Sequence, residues 1–192
     1  MACLALGFVG PCVIVMDLEQ IGLQLAGPPE SGKSSIAIAT GSIWGRHVDP
    51  NRAREHGFME TWNNTTLKFE PMALGHNHAI LIADETRTSS KVQRSLAEGI
   101  LDVVMHLEKA VEKGRQPDTM AARSWWVPFL STSNKSLDEL CQAAGVELDD
   151  AYRSRLIDIG PPEGGSGFFE DLHGYPDVVA LSVRLWRALA SG

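Results

Sequence analysis

Basic charge, cysteine and long apolar runs are all scarce in this chain. Lys and Arg number 17 against 24 Asp and Glu, a formal net charge of -7. That balance excludes a general basic footprint for nucleic acid, so any such contact must come from a local patch. The three cysteines, Cys3, Cys12 and Cys141, are widely spaced and odd in number. They make neither a zinc spacing nor a disulfide framework, and reduced thiols in a cytoplasmic protein are expected. The apolar opening, residues 2–16, has no basic leader, is interrupted by Gly7, Gly10 and Pro11, and is too short to span a bilayer. It reads as a buried helix followed by a turn, and no membrane partner is expected. No internal repeat or low-complexity tract is present.

What remains is 192 residues, 44% hydrophobic and 21% charged, the make-up of one globular domain with a real core. Because the chain opens on core-like residues, the expectation is a single domain over residues 1–192 that forms the C-terminal part of a longer protein.

Apolar periodicity alternates between strand-like and helix-like along the chain. Residues 21–26 (IGLQLA) and 79–83 (AILIA) are short apolar runs, the second continuous as in a strand buried on both faces. Residues 125–130 (WWVPFL) and 155–159 (RLIDI) read as two more strands, although Pro128 cannot donate to a ladder. Helices are expected over 36–44, ended by Gly45, over 67–74, 137–144 and 178–189. An amphipathic helix or helix pair is expected over 90–112, with Val92, Leu96, Ile100, Val103, Val104 and Leu107 on one side. Residues 46–66 look polar and irregular, 114–122 a loop, and 161–167 (PPEGGSG) a linker. Strands alternating with helices imply an α/β fold with a mostly parallel sheet flanked by helices.

One segment carries the most specific signal. Residues 27–34, Gly27-Pro28-Pro29-Glu30-Ser31-Gly32-Lys33-Ser34, match G-x-x-x-x-G-K-[ST] between a strand and a helix. Glycines let the backbone turn several N–H groups toward one anion, and the helix adds its positive N-terminal end. Lys33 then reaches the β/γ-phosphates, Ser34 holds Mg²⁺, and Ser35 extends the cradle. ATP and Mg²⁺ are therefore the expected ligands. A glycine-rich turn that contains Lys-Ser by chance is the bland alternative, and the strand–loop–helix context counts against it.

The run 80–83 ends in Asp84-Glu85. Acids at the end of a buried strand are costly unless they meet a cation or a reacting water. Asp84 is assigned to Mg²⁺ and Glu85 to polarising the attacking water. A solvated turn, itself common, explains the pair equally well alone, and the spacing from Lys33 within one P-loop domain decides for the first. In Ser131-Thr132-Ser133-Asn134, Thr132 and Asn134 are candidates to orient water or touch the γ-phosphate. Helix capping by Ser133, Asn134 or Ser136 explains the same residues equally well. Arg155, before the last apolar run, is a candidate arginine finger, with a surface ion pair as the ordinary reading. His76-Asn77-His78 has no third ligand in sight and reads as a turn. Trp44, Trp125, Trp126 and Trp186 read as core or interface. Lys109, Lys113, Arg115 and Arg123 form a mildly basic stretch, either a solvated surface or the lining of a pore.

With these residues in view, the chain resembles the domain of unknown function 927 family of bacteria and phages. The segments that carry the likeness are GLQLAGPPESGKSS, SIWG, ETWNNTTLKFE, ILIADET, RSWWVPFLSTSN, SRLIDI and GFFEDLHG, from about Leu4 to the C-terminus. The resemblance implies a P-loop ATPase of AAA+-like type, related to superfamily-three helicases, found on mobile elements beside or fused to primase-like domains. It places Lys33 and Ser34 on the Walker A positions, Asp84 and Glu85 on Walker B, Thr132 in the sensor segment and Arg155 on the arginine before the last strand. Two departures stand out. Pro28-Pro29-Glu30 brings an acid where small polar residues are usual, and STSN replaces the usual STGE, matching instead the TSN ending of superfamily-three helicases.

The resemblance implies ATP hydrolysis coupled to movement on DNA by a homo-oligomeric ring in mobile-element replication. A nucleotide-dependent switch acting on a protein partner is the alternative, which the acidic charge favours slightly. A P-loop kinase is a further alternative, against which the Asp-Glu pair and the late Arg argue.

Overall fold

The computed structural model describes residues 2–45, 58–84, 93–109 and 124–190. Glu85, Ser90, Val92, Lys113, Arg115, Arg123 and the 114–122 loop lie outside them. Among the described residues five strands form one all-parallel sheet: β1 (Gly22–Ala26), β2 (Met59–Thr61), β3 (Leu81–Asp84), β4 (Phe129–Ser133) and β5 (Leu156–Ile159), in the order β2-β3-β4-β1-β5. This is the α/β architecture expected from the alternating pattern. In β3, Ile82 belongs to one core and Leu81 and Ala83 to the other, because successive residues of a strand face opposite sides.

Helices cover both faces. On one side lie α1 (Ala2–Val15), α2 (Lys33–Gly41) and α7 (Val178–Ala190), whose Leu6, Ile38 and Trp186 pack with Leu25, Ile82 and Leu130. On the other lie α3 (Trp62–Gly75), α4 (Gln93–Lys109) and α5 (Leu137–Ala144), with the short α6 (Asp150–Arg155) beyond. There Trp62, Ile100, Val104, Leu107 and Leu137 pack with Phe129 and Leu156. The amphipathic face expected for α4 is the buried one at Ile100, Val103, Val104 and Leu107.

Several boundaries differ from the sequence reading, each for a physical reason. The glycines and proline of the first helix do not break it. Pro11 has no N–H to give the carbonyl four residues back, and the Trp44 indole donates to that Gly7 carbonyl instead, at 2.5 Å. A Cβ on Gly10 would lie 2.1 Å from the Ala79 carbonyl oxygen, so the glycine permits close packing. The second helix begins at Lys33 and closes on Ser42, leaving residues 42–45 as a turn. The supposedly irregular 46–66 region contains β2 and the start of α3, which is kinked at Lys68, three residues before Pro71.

The fourth strand begins at Phe129 rather than Trp125. Pro128 cannot join the ladder, and the preceding N–H groups are bound by side chains. Trp126 N–H donates to Asn77 Oδ1 at 2.8 Å and Val127 N–H to Gln20 Oε1 at 3.0 Å. Arg155, expected at the start of the last strand, is instead the final residue of α6. The 161–167 segment is no free linker but packs on the 27–34 loop, as described below.

Candidate functional site

Parallel strands all end on one edge of the sheet, so their following loops meet there. Inserting β4 between β3 and β1 brings the carboxyl ends of three strands together. Gly27 follows β1, Asp84 ends β3, Thr132 is the last residue but one of β4 and Asn134 follows that strand.

Gly32 enters α2 in the left-handed region (φ 92), as does Glu30 (φ 61), which bends the loop back over the helix start. The first four N–H groups of a helix have no partner within it, so residues 33–35 face the loop with positive dipole ends. Pro28, Pro29 and Glu30 are exposed, whereas Ser31, Lys33 and Ser35 are buried. Lys33 is 7% exposed. Its Nζ donates to the carbonyls of Gly27 and Pro28, both at 2.7 Å, and to Asn134 Oδ1 at 3.1 Å. Ser31 Oγ donates to the Pro28 carbonyl at 2.7 Å.

Asp84 joins the three elements. Ser34 Oγ donates to its Oδ1 at 3.1 Å, and Thr132 Oγ1 donates to the same oxygen at 2.5 Å. A buried carboxylate beside a hydroxyl on the first helical turn is an oxygen-donor pair suited to Mg²⁺. The structure therefore brings together Lys33, Ser34, Asp84, Thr132 and Asn134. The cap of α5 is taken by Ser136, in a reciprocal capping box with Glu139. That leaves Asn134 to Lys33. His76 stays in a turn, its Nδ1–H donating to the Met72 carbonyl at 2.9 Å.

Arg155 is not brought to this edge. Leu156 pairs beside Gly22, at the amino end of β1, and Arg155 Nη1 donates to the Ala151 carbonyl at 2.6 Å. Arg153 makes the surface pairs, with Asp138 at 2.6 Å and Asp150 at 2.9 Å, and its hydrogen bond holds the Asp138 carboxyl below the usual range.

Two features were not read from the sequence. A chain of buried polar groups runs under the site: Trp62 Nε1 donates to Ser131 Oγ, Ser131 Oγ to Gln24 Oε1, and Gln24 Nε2 to Asp158 Oδ1 at 2.8 Å. Leu137 N–H closes the chain on Asp158 Oδ2 at 2.8 Å. Burial pushes the Asp158 carboxyl above its usual value, while the bonds from Leu137 and Gln24 pull it back. Asp158→Ala is expected to leave two donors unpaired, each costing about 1–3 kcal/mol, and to lower the thermal midpoint by several degrees. Because folding raises this carboxyl, its ionisation weakens the parent as pH rises from the ordinary carboxylate range to the raised value. The variant lacks that slope. Thermal unfolding across pH 3–7 checks both.

The second feature is the segment after β5. Phe168 N–H donates to the Ser31 carbonyl at 2.8 Å. Gly167 (φ 63) lies so close that a Cβ would meet the Ser31 carbonyl oxygen at 2.4 Å, and one on Gly32 would meet the Phe169 ring at 2.4 Å. The loop is thus braced by GSGFF, a segment that the family resemblance marked through GFFEDLHG without giving it a role.

A family model described as a domain of unknown function (DUF927) matches residues 1–110. The chain belongs to this family. Among solved structures, the active helicase Cch of SCCmec type IV has a similar fold, with a TM-score of 0.64 at 18% identity. The alignment covers 98% of this chain and 30% of that helicase, so the DUF927 chain spans less than a third of the helicase's length. At this identity the likeness is one of fold. The search of curated proteins returned no match. Among the described residues no helix is long and apolar enough to cross a membrane.

Proposed function

We propose that this DUF927 chain is an ATP-hydrolysing P-loop unit, the motor part of a helicase or translocase. The observation that carries the reading is the contact set of Lys33 and Asp84. The loop lysine lies between loop carbonyls and Asn134, and the Ser34 hydroxyl meets the carboxylate ending β3. In this reading Lys33 and the N–H groups of residues 31–35 hold the phosphates of ATP. Ser34 and Asp84 hold Mg²⁺, which supplies positive charge to the oxygens of the transferred phosphoryl group. Glu85 accepts the proton of the attacking water, Thr132 keeps the Asp84 carboxylate oriented, and Asn134 turns its amide toward the γ-phosphate. Arg155 serves the ATP of the next subunit in a homo-oligomeric ring.

The motor assignment draws on fold likeness to an active helicase. With it go DNA as the track, a primase-like fused or associated domain, and residues 1–192 as one unit of a larger mobile-element protein. The net charge of -7 favours a second reading, a nucleotide-dependent switch on a protein partner. Phosphate release stimulated by single-stranded DNA supports the motor, and release indifferent to DNA supports the switch.

Glu85→Gln tests the hydrolytic step. The amide keeps the shape of the carboxylate but takes no proton, so ATP is expected to bind with parental affinity while turnover falls about a hundredfold or more. Nucleotide titration and steady-state phosphate release read the two separately. Normal release from the variant removes Glu85 from the mechanism, and no release from the parent protein overturns the ATPase reading.

A further inference from the structure

The pocket beside the 27–34 loop has two walls of different chemistry. Residues 30–35 form one, polar and rich in helix-start N–H groups. The other is α7, where Val179, Ser182, Val183 and Trp186 follow the i, i+3, i+4, i+7 spacing of a single helical face.

Val179 and Val183 are 49% and 43% exposed. The fold does not need them there, because α7 is already anchored by buried Leu181 and by Trp186 and Leu189 against the core. Their methyls, one helical turn apart and about 6 Å along the axis, make a flat apolar strip at the side of the loop. Ser182 is the one hydroxyl on that wall. A ligand that satisfies both walls carries anionic phosphates at one end and a planar, weakly polar ring system at the other. Aliphatic contact with the face of a ring contributes affinity through buried area. Methyl groups offer no donor or acceptor to a base edge.

We propose that the Val179/Val183 face of α7 is the wall on which the base of the bound nucleoside triphosphate lies. This rests on the 27–34 loop being the phosphate site. It gives α7 a role that no other residue of the proposed hydrolytic machinery supplies: it distinguishes a nucleotide from bare triphosphate.

The test is calorimetric titration of the parent and of a Val179→Ser/Val183→Ser variant with ATP and, separately, with inorganic triphosphate. Both valines are exposed, so the substitutions open no core cavity. The parent is expected to bind ATP at least about tenfold more tightly than triphosphate, and the variant to lose about tenfold for ATP with triphosphate affinity unchanged. ATP affinity unchanged in the variant overturns the proposal. Loss of both ligands in the variant also overturns it, since α7 then acts on the loop rather than on the base. If the parent binds neither ATP nor triphosphate, the phosphate-loop reading itself fails, a result distinct from the other two.

Discussion

Replacing Lys33 with alanine is expected to abolish nucleotide binding while the sheet stays folded. The side chain rises from the first residue of α2 and is almost wholly buried. Its ammonium is held at 2.7 Å by two loop carbonyls and at 3.1 Å by Asn134. That arrangement pre-positions a compact positive charge at the mouth of the loop, so little ordering is left to be done when phosphate arrives. Hydrogen bonds to charged groups contribute about 1.5–3 kcal/mol each, and losing two lowers affinity on the order of a hundredfold or more. The dipole end of α2 and the loop N–H groups do not replace this charge, because they are fixed partial charges. The carbonyls of Gly27 and Pro28, at a surface-exposed turn, can turn to water in the variant, which limits the damage to the fold. Titration with a fluorescent nucleotide reads the loss, with far-UV circular dichroism as the folding control. Parental affinity in a folded variant removes the phosphate-loop assignment.

Arg155→Ala is expected to give a folded subunit that binds ATP yet turns it over about a thousandfold more slowly, the scale of a lost arginine finger. The strand register sets Arg155 apart from the 27–34 loop of its own chain. Arg155 precedes Leu156, which pairs beside Gly22 at the amino end of β1, whereas the loop leaves the carboxyl end after Ala26. The two ends of β1 are separated by roughly 13 Å, and an arginine side chain does not bridge that distance back to its own loop. The proposed role of Arg155 is therefore one toward the phosphate of a neighbouring subunit. At the close of α6 its guanidinium is folded back on its own helix, Nη1 donating to the Ala151 carbonyl at 2.6 Å, and it must let go of that carbonyl to reach a neighbour. Mixing Arg155→Ala with excess Lys33→Ala protein is expected to restore part of the phosphate release. Each working site then takes its loop from one variant and its arginine from the other. Co-assembly without any recovery of activity argues that Arg155 does not act in trans. Arg153 is a poor substitute, because Asp138 and Asp150 already occupy it on the exposed surface.

Much of the site was readable before any coordinates, and for a local reason. The 27–34 loop is contiguous, and its glycines, lysine and serine must follow one another to bend the backbone around an anion. Likewise β3 announces itself as an unbroken apolar run because both of its faces are covered. Asp84 is conspicuous as the first polar residue after that run. The buried face of α4 shows in its 3.6-residue period, whereas the first helix, expected to be buried, is so on one face only: Cys3, Leu6 and Val13 are covered while Phe8, Ile14 and Val15 are exposed.

The misses share a different reason. Ser133, Asn134 and Ser136 are all cap-type residues, and the S-x-x-E box of Ser136 with Glu139 that singles out the cap went unread. The role of Asn134 comes from the approach of Lys33, a hundred residues away in the chain. Trp126 and Val127 have strand-like side chains, yet Asn77 and Gln20 take the N–H groups that a ladder would use. Likewise, α6 is too short to impose a period, so Arg155 looked like the first residue of a strand.

By itself the sequence determined the α/β class, the turn of residues 27–34 between a strand and a helix, the acidic end of β3 and the membership in the DUF927 family. These depend on residue order within a single element, where periodicity and turn chemistry act. The tertiary structure alone decided that β4 lies between β1 and β3, so that Thr132 and Ser34 share one oxygen of Asp84. It also decided that Gly167, Phe168 and Phe169 brace the loop, that α7 walls the pocket beside it, and that Arg155 lies at the other end of β1 from the loop. Parallel strands are joined by long crossovers, so neighbours in the sheet are distant in the chain. Which distant segments meet is set by how two apolar layers pack against a twisted sheet, and no local pattern encodes that.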